Sequence, residues 1–138
     1  MDVVAAVRER ILSLSSVTAA VSSRVYAQIL PQRPDLPAIR LQRISDVGSM
    51  QLRGIGGVRR ARVQCDIVAT SRETALAILE DLDGPGDGSA MLGFRGTVGS
   101  PGSPGVEIDC IAPANITERF DADDLTQYKV IRDYFVDY

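Results

Sequence analysis

The chain has 138 residues, 45% of them apolar and 24% charged. This suits one folded domain that buries roughly two-thirds of the surface its unfolded chain exposes, and excludes the excess polarity of a disordered segment. Histidine is absent, which removes Ser-His-Asp and Cys-His catalysis within one chain, histidine-ligated zinc and histidine pH switches, and 15 basic against 18 acidic side chains, net −3, argue against a domain that grips nucleic acid by neutralising phosphates.

Residues 2–14 place Val3, Val7, Ile11 and Leu14 at spacings of four and three, which predicts an amphipathic helix of about three turns. Ser15 and Ser16 interrupt it, and residues 17–21 can add a short helical turn before Ser22 and Ser23 end it. Residues 28–37 hold Pro31, Pro34 and Pro37, which predicts an extended linker, because proline denies the segment both helix and central strand. Residues 38–45 alternate apolar and polar side chains for most of their length and are expected to form a half-buried strand.

Four glycines between residues 46 and 57 predict a mobile loop there. Then Ala61, Val63, Cys65, Ile67 and Ala69 share one face and Arg60, Arg62, Gln64 and Asp66 the other, the strict alternation of an antiparallel strand with one open side. Thr70 and Glu73 stand at capping-box spacing before Ala75, Leu76, Ile78, Leu79 and Leu82, with Gly84 just beyond, so a second helix is expected. Eight glycines and three prolines in residues 84–105 predict a long mobile loop, with a brief strand at 91–94. Val106, Ile108 and Cys110 form a third strand, an irregular link follows, and residues 128–138 alternate with neither face cleanly polar, as in a strand covered on both sides.

These elements predict a single α+β domain over residues 1–138, an antiparallel β-sheet of four or more strands packed with two main α-helices. No secretory signal and no apolar run near the ~18 residues of a membrane span is present, so neither secretion nor membrane insertion is expected. Cys65 and Cys110 are too far apart for a CxxC metal pair, and both are expected on the apolar face as buried, inert thiols in a reducing compartment.

Chemical motifs fail on inspection. Gly54, Gly56 and Gly57 would need a further glycine at Arg59 and a following helix to make a dinucleotide loop. Lys129 is the only lysine, so no phosphate-binding P-loop can form. Asp121, Asp123 and Asp124 open like a calcium loop, but Thr126 and Arg132 stand where its glycine and glutamate belong. No carboxylate pair is singled out as acid and base, so no catalytic, cofactor-binding or metal-ligating residues and no cofactor are assigned. The chain is not expected to be an enzyme.

Charge is unevenly spread. Residues 40–62 hold six arginines against Asp46, whereas residues 107–138 hold eight acids against Arg119, Lys129 and Arg132. Glu80, Asp81 and Asp83 add acids at the unfavourable end of the second helix. Opposite charges of this kind can fix a head-to-tail contact in a closed ring, with Arg59, Arg60 and Arg62 as one surface and Glu80, Asp81 and Asp83 as the other; they can equally pair within one chain.

The order of features resembles the tail-completion, or tail-terminator, family of long-tailed phages and gene transfer agents. Carrying the resemblance are the N-terminal helix, Ser23-Arg24-Val25-Tyr26 running into Leu30-Pro31, and Leu36-Pro37-Ala38-Ile39 leading to Gln42-Arg43-Ile44-Ser45. It continues in Ala61-Arg62-Val63-Gln64-Cys65-Asp66-Ile67-Val68-Ala69-Thr70 and closes in the aromatic strand at residues 128–138. The resemblance implies a structural virion protein, assembled in the bacterial host cytoplasm, forming a hexameric ring on the head-proximal end of the tail tube. Such a ring stops tube growth and joins the tail to the head. Its implied partners are further copies of itself, the major tail-tube protein and the neck or connector proteins, with DNA passing through the lumen without specific binding and no membrane contact. A neck adaptor or stopper between portal and tail is the alternative within the virion. Outside it stand a metal-dependent hydrolase using Asp121 to Asp124 and a nucleic-acid-binding module using the arginine-rich strand.

Overall fold

The computed structural model describes residues 2–31, 35–51, 54–99, 102, 104–120 and 127–138. Three helices, α1 (Val3–Leu12), α2 (Ser15–Val21) and α3 (Arg72–Asp83), pack on one face of a five-stranded sheet. The strands are β1 (Val25–Ala27), β2 (Ala38–Gln51), β3 (Gly54–Ala69), β6 (Cys110–Phe120) and β7 (Tyr128–Asp137), in the order β1-β2-β3-β7-β6. β4 (Gly96–Val98) and β5 (Val106–Ile108) form a separate antiparallel ribbon. The fold is α+β; its sheet is mixed, because β1, an element without a clear sequence signal, joins β2 in parallel.

α1 starts where the Asp2 carboxylate accepts a hydrogen bond from the Ala5 N–H at 2.7 Å, satisfying one of the free donors of the first turn. Val3, Val7 and Ile11 then turn into the core with Val4 and Ala6. Valine is a modest helix former, so this helix depends on its packing. Ser71 caps α3 by accepting from the Thr74 N–H at 3.2 Å, so the cap lies one residue after the expected Thr70. On β3, Ala61, Val63, Cys65, Ile67 and Ala69 all point under the helices and are fully buried, as the alternation requires.

Several expectations need correction. Residues 46–57 were expected as a loop, but β2 runs on to Gln51 and β3 begins at Gly54, a hairpin with pairs Val47↔Arg60, Gly48↔Arg59, Met50↔Ile55 and Gln51↔Gly54. Glycine weakens a strand without forbidding it, since the ladder is made by backbone groups. The irregular link after the third strand is largely β6, paired with β7 along its length and bulged between Pro113 and Asn115. Residues 106–110 are not one strand: the chain leaves the small ribbon at Ile108 and enters the main sheet at Cys110. That switch inverts the side-chain phase, so Ile108 and Ile111 are buried and Cys110 is exposed.

The brief strand lies at Gly96–Val98, not at 91–94. Met91 and Leu92 instead donate their N–H groups to the Leu82 and Asp83 carbonyls, closing the open end of α3. Met91 is fully buried there. Gly93, at φ +79°, bonds to the Ile111 carbonyl and passes so near the Gly86 carbonyl that a Cβ would sit 2.4 Å from it. Arg10, at the end of α1, lies 3.9 Å from the Phe94 ring centroid and donates to the carbonyls of Gly88, Ser89 and Ala90. The first half of the glycine-rich segment is thus clamped onto both helices by contacts within the chain. The acidic turn at Asp121 to Asp124 lies outside the described residues.

Candidate assembly surface

The helices cover one face of the sheet and leave the other open. On the open face, alternation along β2, β3 and β7 sets arginines beside aspartates on neighbouring strands. Arg40 donates from Nε and Nη2 to one Asp66 oxygen at 3.0 and 2.6 Å, and Gln64 fills the other at 2.8 Å. Arg62 donates twice to Asp133, at 2.9 and 2.6 Å. Arg60 makes a bidentate pair with Asp137 at 2.7 and 2.8 Å and stacks near Phe135. Charged and planar, these forks are the strong kind of hydrogen bond.

Past Arg60 and Asp137, β3 loses β7 as a neighbour: Arg59 and Tyr138 exchange a last pair of backbone hydrogen bonds, and the further ladder pairs of β3 among the described residues, Ile55 with Met50 and Gly54 with Gln51, are with β2. The hairpin therefore projects from the sheet as a two-stranded arm. Asp46 anchors its base, accepting from the Tyr138 hydroxyl and from Arg59 at 3.2 Å, with Arg43 3.6 Å away. Burial alone would raise the Asp46 carboxyl; the Tyr138 hydrogen bond and the two guanidiniums outweigh it and hold it below the ordinary range. Arg60 likewise holds the Asp137 carboxyl low. Val47 and Val58 are exposed at this base and line a shallow groove with Gly48, Arg59, Arg60 and Asp137.

Arg59, Arg60 and Arg62 thus converge on the arm and the open sheet face, and each already holds a carboxylate of its own chain. The acids named with them do not lie opposite. Asp83 turns inward and accepts from Arg132 at 3.2 Å and from the Tyr134 hydroxyl, which relieves a carboxylate at the negative end of α3. Glu80 and Asp81 are exposed and line a groove with Ser13 to Ser16, Gly84 and Pro85 on the helical layer. No basic residue stands in the last turn of α3. Two of the arginines of residues 40–62 are met by acids of residues 107–138, Arg60 by Asp137 and Arg62 by Asp133, pairings visible only once β3 and β7 are neighbours.

Among the described residues no group of three His, Cys, Asp or Glu side chains could hold a metal ion, and no helix is long and apolar enough to cross a membrane. Cys65 is buried, and burial first, then the charges of Asp66, Asp133 and Asp83, raise its thiol. The Arg10 clamp, the Tyr138 hydroxyl on Asp46 and the Arg132–Asp83 pair were not foreseen, since in each the partners lie 49 to 92 positions apart in the chain.

The domain is similar to a chain of the virion of a native gene transfer agent particle, with a TM-score of 0.70 over 98% of this chain and 92% of that one at 15% identity. This likeness is one of fold. No protein with a curated description matches the sequence. A family model described as tail completion protein gp17 matches residues 5–83, the stretch that carries most of α1, the whole of α2 and α3, the hairpin arm and Arg59, Arg60, Arg62, Glu80, Asp81 and Asp83. The chain belongs to the tail completion protein gp17 family.

Proposed function

We propose that copies of this chain form a ring, a hexamer, on the head-proximal end of a phage or gene-transfer-agent tail tube, ending tube growth and presenting a surface to the neck or connector proteins. The family match over residues 5–83 carries this reading. The ring acts by contact, with no bond made or broken, and resides in the virion after assembly in the bacterial host cytoplasm. DNA passes through its lumen without specific binding, which a net charge of −3 favours over tight phosphate contact.

The projecting arm supports a capping role. An isolated two-stranded hairpin is marginal in water, and this one is held by the charge pairs at its base. Side-chain exposures of 48% for Arg59, 57% for Arg60 and 37% for Arg62 leave donors on that side for one partner. Glu80 and Asp81 on the helical layer offer acceptors to another. Asp83, committed to Arg132 and Tyr134, leaves the contact set. The test is polymerisation of the tail-tube protein with and without this chain. Tubes that stop growing, each with a ring at one end in negative-stain images, are expected; tubes of unaltered length with no bound chain overturn the proposal.

A further inference from the structure

We infer, resting on the ring reading above, that neighbouring copies meet flank to flank, the free edge of β6 in one copy lying antiparallel to the free edge of β2 in the next. The exposed large apolar side chains among the described residues are Ile29, Ile44, Val47, Val58 and Ile116, and all lie in or beside the sheet, none on a helix. Single exposed apolar residues are ordinary; here four of the five mark the two flanks, and Val58 lies on the central strand β3. Ile29 follows β1, and Ile44 and Val47 lie on β2, so all three mark one flank. Ile116, on β6, marks the other.

Backbone groups follow the same division. β1 covers β2 only from Ile39 to Leu41, and the Gln28 N–H adds a bond to the Leu41 carbonyl. From Gln42 onward β2 has β3 as its sole ladder partner among the described residues. On the far flank, Gly93 takes the Ile111 carbonyl, Pro113 lacks an N–H and a bulge follows it. Beyond that bulge, from Asn115 to Phe120, β6 has β7 as its sole ladder partner among the described residues. Two unpaired edges of this length are templates for a further strand.

Direction and charge fit a second copy as the occupant. β2 runs antiparallel to β3, β3 to β7 and β7 to β6, so β6 runs opposite to β2. A rotation about an axis along the strands preserves strand direction and therefore sets β6 antiparallel to the β2 of the next copy. On the β2 flank Asp46 serves both Arg43 and Arg59, leaving one positive charge over. Beside the β6 flank Glu107 and Asp109 have no cation partner among the described residues. The two flanks differ, so the contact is head-to-tail, the kind that makes a ring when its rotation closes, and a ring consumes both free edges at once.

The test uses full-length chains carrying Cys110→Ser, so that Cys65, which is buried, is the only native thiol. Ile44→Cys, Val47→Cys and Ile116→Cys are made singly, and oligomers are followed by native mass spectrometry, with the tail-tube protein added if the chain alone stays monomeric. Mixing the Ile116→Cys chain with either β2-flank variant and a short bismaleimide is expected to give cross-linked dimers that no single variant gives. A ring without those cross-links, a single variant that links to itself, or Ile116→Cys linking to the tube protein overturns the flank assignment and leaves the ring standing. Absence of any ring, with the tube protein present, overturns the ring reading and this inference with it. As a second measure, Ile116→Asp is expected to raise the half-assembly concentration at least about tenfold with melting temperature unchanged. Unaltered assembly counts against the inference, and if that variant melts early, Ile116→Ser replaces it.

Discussion

Arginine–aspartate pairs in this domain differ in what they leave behind when broken. Asp133 is 92% buried as a side chain, and its Oδ1 has no partner, so Arg62→Ala strands a buried carboxylate and is expected to cost about 1–3 kcal/mol in urea unfolding. Arg59→Ala removes a more exposed partner of Asp46, which keeps Tyr138 and Arg43, and is expected to lower the urea midpoint less than Arg62→Ala does. Asp46 and Asp137 titrate below the ordinary carboxylate range in the folded chain. They therefore favour folding above the unfolded pKa of about 4 and lose that contribution as pH falls through their native values. Asp46→Asn and Asp137→Asn should each lower the melting temperature at pH 7, with the difference from the parent shrinking as pH falls below about 4. The thiols separate by exposure: the native chain should react with a thiol reagent once, at Cys110, and twice after denaturation, because Cys65 is buried with its thiol pushed up.

At the scale of elements, the glycine-rich segment after α3 is held by backbone bonds to Leu82, Asp83 and Ile111 and by the Arg10 guanidinium. Gly93→Ala pushes a Cβ to 2.4 Å from the Gly86 carbonyl at a positive φ. It is expected to destabilise the domain by more than about 1 kcal/mol. Arg10→Ala should speed amide exchange at residues 88–92 while leaving β3 and β7 protected, since it frees a local clamp and not the sheet. Val47→Glu, on an exposed position of the arm, should alter unfolding free energy by no more than about 0.5 kcal/mol. Any loss of assembly in that variant then reports a contact and not a fold defect.

For the molecule as a whole, the open sheet face answers its arginines with aspartates of the same chain, whereas among the described residues Glu80 and Asp81 on the helices have no cation partner. Arg60→Glu sets a carboxylate against Asp137 and reverses the open face, and Glu80→Arg reverses the helical patch. Each is expected to lower co-purification with the tail-tube protein by about tenfold or more, checked beside an unchanged circular dichroism spectrum.

Local periodicity already determined the helices over α1 and α3, the buried row from Ala61 to Ala69 and the covered last strand, because side-chain spacing repeats with the backbone geometry that produces it. The absence of histidine ruled out by itself the chemistry that needs a histidine of this chain. Only the tertiary structure decided that residues 46–57 extend β2 and β3, that β6 is a strand, and that Cys110 faces outward. Each of those depends on a neighbouring strand whose position no local pattern encodes. The same reason governs the candidate surface: the arginines of β2 and β3 and the acids of β7 stood out as opposite charges, but β7 follows β3 by some sixty residues, and a hydrogen-bonded pair exists only when the fold closes that distance.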